Sequence, residues 1–158
     1  MNRSNIGNTG KVKAVLAGLI LSMGFFSSAA MAGVDARLAE AGPSAKAARG
    51  NDAAAYYKYG NIRLESGDSS RAVKDFSAAI AFDPYFAEAY FGRGLAYVAL
   101  GDNRRAIVDM SVAIALKPSF ARAYYERSRA YYALGNKSQA LRDLNRAVKL
   151  DPELASAR

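Results

Sequence analysis

The sequence predicts an all-α fold, a solenoid of stacked helix pairs. Three observations predict it. Asp83-Pro84, Lys117-Pro118 and Asp151-Pro152 recur at equal intervals along the chain. Gly67, Gly101 and Gly135 keep the same interval, as do Ala72, Ala106 and Ala140. Between these markers the apolar residues fall every three or four positions, which is helical spacing. Residues 53–86 and 87–120 are identical at 15 of 34 positions, and 87–120 and 121–154 at 14. A period of this length decides the fold, because one unit can bury its apolar face only against its neighbours.

Each unit reads as two helices. In the middle unit, Tyr90, Gly94, Tyr97 and Leu100 form the apolar stripe of a first helix. Gly101 ends that helix, since glycine takes the left-handed conformation of a C-terminal cap. Asp102 is placed to cap the second helix by accepting a backbone N–H bond, and Asp68 and Asn136 hold the equivalent places. The second helix carries Ala106, Met110, Ala113 and Ile114 on one face. Pro118 closes the unit, because the residue before proline is pushed out of the helical region.

A helix–turn–helix unit with this period and pattern resembles the tetratricopeptide repeat. The middle unit carries the resemblance best, with Tyr90-x2-Arg93-Gly94-x2-Tyr97, Ala106-x3-Met110 and Pro118. The third has Tyr124, Ser128, Tyr131, Ala140-x3-Leu144 and Pro152. The first has Tyr56, Tyr59-Gly60, Ala72-x3-Phe76 and Pro84. The resemblance implies a right-handed α-solenoid that binds a protein or peptide partner and is not an enzyme. Tyrosine stands for the usual tryptophan in all three units, and Arg63 stands where the others have Tyr97 and Tyr131. The last helix has Arg142 and Arg146 where the middle unit has Val108 and Val112, a swap expected to polarise the end of the stack. Leu141 and Leu144 are expected to stay partly uncovered and to offer a contact for self-association.

The segments before the repeats are of another kind. Arg3, Lys11 and Lys13 precede an apolar run over residues 14–26, and Ala30-Met31-Ala32 follows as an A-x-A cleavage site. This is the order of a secretory signal peptide covering residues 1–32. The run is short for a membrane span, which needs about 20 residues. The expected destination is the periplasm, with membrane contact only in transit. Residues 33–52 are alanine-rich and read as a flexible linker or weak helix broken at Gly42-Pro43.

Composition removes most catalytic chemistry. The 158 residues include no cysteine and no histidine. That excludes disulfides, thiolate nucleophiles, Cys- or His-ligated metal and Ser-His-Asp sites within the chain. No cofactor and no metal are expected. Gly92-Arg93-Gly94 lies within a helix and lacks the glycine-lysine of a phosphate loop. The formal net charge is +8, of which the signal segment supplies three. Arg122, Arg127, Arg129, Arg142, Arg146 and Lys149 crowd the third unit, which leaves an anionic polymer or lipid as an alternative partner. No nucleic-acid motif is present, so nucleic acid is not an expected partner.

A second stripe on each first helix carries the functional expectation. It runs Ala54, Tyr57, Asn61, Leu64; then Glu88, Phe91, Leu95, Val98; then Arg122, Tyr125, Arg129, Tyr132. The 3, 4, 3 spacing places each set on one helix face. Tyr57, Phe91 and Tyr125 are one repeat apart and should align in a row. The resemblance places that face in the concave groove, so Tyr57, Asn61, Phe91, Leu95, Arg122, Tyr125, Arg129 and Tyr132 are the expected partner contacts. The alternative is that the rings pack between repeats as core. Some family members clamp a peptide's C-terminal carboxylate with lysine and asparagine. Asn61 matches one such position, but Tyr57 and Phe91 do not supply the rest. Mass spectrometry of the exported protein should give a chain beginning at Gly33; one beginning at Met1 would show an uncleaved anchor.

Overall fold

The computed structural model describes residues 43–155, with side chains from Asp52 onward. Among these residues, six α-helices pair in sequence order: α1 (Pro43–Glu65) with α2 (Ser69–Phe82), α3 (Ala87–Ala99) with α4 (Asn103–Leu116), and α5 (Ala121–Ala133) with α6 (Lys137–Leu150). A 3-10 turn, Pro152–Ala155, follows α6. The repeats lie in one compact unit that begins at Arg49. The signal segment and residues 33–42 fall outside the described residues.

The turn inside each pair is built the same way three times. Gly67, Gly101 and Gly135 have φ of 82, 78 and 79°, the left-handed region that a side chain disfavours. In the middle repeat the Gly101 N–H reaches the Val98 carbonyl at 2.9 Å and the Asp102 N–H reaches Tyr97 at 2.8 Å. This is the Schellman arrangement, and it satisfies two carbonyls at the helix end. Asp68 and Asp102 then cap the next helix by accepting from the N–H of Arg71 and Arg105. Asn136 makes no such side-chain bond, so the expected third cap is absent. Between pairs, Asp83, Lys117 and Asp151 adopt extended backbone, as residues before proline must.

The first helix starts earlier than its repeat. Pro43 opens α1 where the sequence pattern predicts a break, and residues 43–52 continue into the first repeat without interruption. Proline suits a helix's first position, because its N–H is not needed there and its φ is already helical. The alanines that follow favour the helix.

The core is a chain of second-helix side chains held between first helices. Phe76 of α2 is wholly buried between two glycines. A Cβ on Gly60 of α1 would lie 2.7 Å from its ring, and one on Gly92 of α3 would lie 2.6 Å away. One repeat later Met110 fills the place of Phe76, packed with Tyr90, Phe91, Ile114 and Ala123. The thinner, flexible methionine needs less clearance, and Glu126 occupies the position equivalent to Gly92. Gly92 therefore serves the Phe76 ring. Gly92→Ala adds a methyl that the ring cannot escape, since Gly60 already closes its other side. Overpacking costs about 1–3 kcal/mol and the alanine returns up to about 1 kcal/mol of helix propensity. Thermal unfolding should show a net loss, and adding Phe76→Leu should make the Gly92→Ala step less costly; equal cost in both backgrounds would refute the contact.

Candidate functional site

Polar side chains tie the repeats together before any surface is left for a partner. Arg93 of α3 holds Asp109 of α4 with two bonds, Nε to Oδ2 at 2.7 Å and Nη2 to Oδ1 at 2.8 Å. Its remaining nitrogen, Nη1, donates to Ser77 Oγ on α2 at 3.1 Å. The Ser77 hydroxyl in turn donates to the Val73 carbonyl. Arg127 repeats the pattern in the next unit, with Asp143 at 2.7 and 2.8 Å and Ser111 at 2.9 Å. Each guanidinium also lies over a tyrosine of its own helix, Tyr90 or Tyr124, at 5.6 Å. Burial works against the charge on Arg93, but hydrogen bonding to Asp109 and its charge outweigh it, so the pKa is raised. In the first repeat Tyr59 stands in this arginine's place, and Arg63, one turn later, reaches Asp75 instead. Among the described residues no buried side-chain nitrogen or oxygen lacks a partner.

The aromatic row divides in two. Phe91 is 7% exposed, with its ring 4.8 Å from Phe120 and the Arg122 guanidinium 5.8 Å from its centroid. Tyr57 is half-buried, 4.9 Å from Phe86 and 5.8 Å from Phe76. Leu95 packs half-buried against the same cluster as Phe91, and Asn61 is half-buried on α1. Glu88, on this face, accepts from Lys117 Nζ at 2.8 Å, a bond that holds its carboxyl below the usual carboxylate range. The first two rings of the row therefore pack against aromatic rings of their own repeats, Phe91 buried and Tyr57 half-buried. Phe91, an expected partner contact, is closed over by Phe120 at the end of its own repeat and by Arg122 of the next.

Among the described residues no repeat follows the third, and there a groove opens. Its volume is about 770 Å³. Tyr125, Arg129 and Tyr132 line it from α5, Leu141, Leu144 and Val148 from α6, and Leu154 from the terminal turn. Tyr132 is 67% exposed and Leu141 59%. The residues equivalent to Leu141, Leu144, Val148 and Leu154 one repeat earlier are Ile107, Met110, Ile114 and Phe120, all wholly or half buried. There the slot is filled by α5, whose Ala123 and Tyr124 pack into the same cluster as Met110 and Ile114.

Two expectations about charge change. Arg142 and Arg146 do not line the groove, so they do not polarise it. Leu141, Leu144 and Val148 follow 3, 4 spacing on one face, and the arginines lie to the side of it. Arg127, expected in a basic cluster, is consumed by Asp143 and Ser111, and Arg129 pairs with Glu126 at 3.0 Å. No group of three or more acidic residues suited to a metal occurs among the described residues. No described helix is long and apolar enough to cross a membrane.

Residues 60–101 match a family model described as TPR repeat, and residues 87–120 and 121–154 each match a model described as Tetratricopeptide repeat. These helix pairs are tetratricopeptide repeats. The fold is accordingly the right-handed α-solenoid of that family. Among solved structures, the second TPR of Spaghetti (RPAP3), bound to the HSP90 peptide SRMEEVD, is 26% identical with a TM-score of 0.66. That match covers 68% of this chain and 99% of the other. The first TPR domain of human RPAP3 is 28% identical with a TM-score of 0.64, covering 67% and 86%. MamA is 30% identical with a TM-score of 0.62; the match covers 66% of this chain and 61% of MamA, so the chain spans about three fifths of it. No curated protein matches the sequence significantly.

The tetratricopeptide stack holds two features that the sequence reading misses. Asn145, Val148 and Leu154 join the groove without standing out in the sequence; stepping forward one repeat from Ser111, Ile114 and Phe120 finds them. The arginine forks are likewise present as Arg93 and Arg127 against Asp109 and Asp143, at one shared spacing. Asp109→Ala should cost about 3 kcal/mol in denaturant unfolding, because it strands a largely buried guanidinium. The double variant Arg93→Met, Asp109→Leu should lose less than the single, since it leaves no unpaired charge. If the double loses more, the fork is not what the aspartate supports.

Proposed function

We propose that this chain is a non-enzymatic adaptor of the bacterial envelope that captures a helical protein segment in its terminal groove. The carrying observation is that the groove repeats, one unit later, the slot that α5 fills in the preceding repeat. A slot shaped by α6 and lined by apolar side chains suits an amphipathic helix, which lays its apolar face down at i, i+3, i+4 positions. Tyr125 and Tyr132 supply broad contact area at low entropic cost, and Arg129 stands at the rim. The peptide held by the related RPAP3 repeat supports a peptide-binding role for the fold. The basic, apolar, A-x-A order of residues 1–32 supports export. The absence of histidine and cysteine from the sequence supports a binding role over catalysis.

Photo-crosslinking in the source cell tests this. A photoreactive residue replacing Tyr132 should yield a discrete protein adduct. The same residue replacing Val108, on the outer face of α4, should yield none. Adducts from both positions alike, or from neither, would remove the groove as the working surface.

A further inference from the structure

The two ends of the stack are the two halves of one interface. On α1, Ala55, Tyr56, Tyr59 and Ile62 lie on one helix face. Tyr56 is 37% exposed, Tyr59 55% and Ile62 51%. One repeat on, the same positions are Ala89, Tyr90, Arg93 and Ala96, and three of these four are buried. Two repeats on, they include Ala123 and Ala130, again buried. In α3 and α5 this face is covered by the preceding repeat: Arg93 reaches back to Ser77, and Arg127 to Ser111. On α1 it is a ridge, and no repeat precedes it among the described residues. The groove at the other end is the matching slot.

We propose that copies of this chain stack head to tail, the α1 ridge of one copy seated in the terminal groove of the next. This names the partner within the adaptor reading and rests on that reading. Each junction would continue the α2–α3 and α4–α5 seams as one more repeat step. Ala55 and Tyr56 are identical to their counterparts at both inner seams. The substitutions at the ends are paired. Inside the chain an arginine meets a serine; at the junction Tyr59 meets Asn145. A phenol and a carboxamide can exchange a hydrogen bond with no carboxylate to balance a charge. None is available for that purpose, because Arg63 already holds Asp75. In size, Ile62 replaces Ala96 on the ridge; Ala96 packs on Ala72 and Phe76, whose counterparts in the groove are Ala140 and Leu144, and leucine is smaller than phenylalanine. The volume added on one side is partly removed on the other. The contact is heterologous, so it propagates into an open series instead of closing on a two-fold axis.

Sedimentation velocity of the full chain over about a hundredfold range of concentration tests the stacking. The mean mass should climb with concentration and reach no plateau. Ile62→Glu blocks the ridge and Leu141→Glu blocks the groove; both positions are more than half exposed, so helix content by circular dichroism should be unchanged. Each variant alone should associate at least about tenfold more weakly. An equal mixture should form one discrete dimer, because the intact ridge of one meets the intact groove of the other. A chain that stays monomeric throughout overturns the proposal. So does association that neither variant weakens, or a mixture no larger than its components. A monomeric chain that still gives the Tyr132-position adduct with a different protein removes the stacking and leaves the adaptor reading standing.

Discussion

The guanidinium fork at each seam is the contact on which the stack depends. Arg93 joins three helices at once: its own α3, α4 through Asp109, and α2 of the preceding repeat through Ser77. A largely buried arginine would be costly alone, but here its polar nitrogens are met by a bidentate carboxylate and a hydroxyl. The geometry of the fork fixes where the preceding repeat sits. The same fork at Arg127 repeats that placement, and two equal steps make a solenoid.

Side-chain size is settled locally around that frame. Phe76 requires glycine on the helices to either side, whereas Met110 keeps Gly94 on one side, where a Cβ would lie 3.2 Å from its Cγ, and has Glu126 in place of glycine on the other. The tetratricopeptide pattern tolerates both because each contact involves only adjacent repeats. A change in one repeat is answered in the next and goes no further. The first repeat shows the same independence. With Tyr59 in place of the fork arginine, Arg63 takes over the pairing with Asp75 from one turn away.

The first and last of the described repeats present apolar faces. Within the chain, first-helix faces are covered by the repeat before, and second-helix faces by the repeat after. The third repeat therefore shows Leu141 and Tyr132 to solvent where the second buries or half-buries the equivalent positions. Leu141, Leu144 and Val148 keep their place in the groove, because Arg142 and Arg146 fall beside it. Burying a large apolar side chain releases roughly 1.5–3 kcal/mol, so an uncovered slot of this kind is a standing drive toward a partner.

The sequence by itself determined the helix pairs, their boundaries at Gly67, Gly101, Gly135 and the prolines between repeats, and the repeat they belong to, but not the start of α1, which Pro43 opens instead of breaking. These are local matters: Gly101 turns because only glycine is at ease at positive φ, and Lys117 extends because Pro118 follows. It also pointed to Leu141, which is 59% exposed at the groove. Which aromatic is core and which is surface was decided only by tertiary structure. Tyr57, Phe91 and Tyr125 are equivalent in period, yet Phe86 and Phe120 close over the first two while the third lines an open groove. The same holds for Arg127, which reads as surface charge until Asp143 and Ser111 are brought to it from other helices. Period fixes what a residue is equivalent to. Its neighbours, drawn from the repeats on either side, fix whether it can touch anything else.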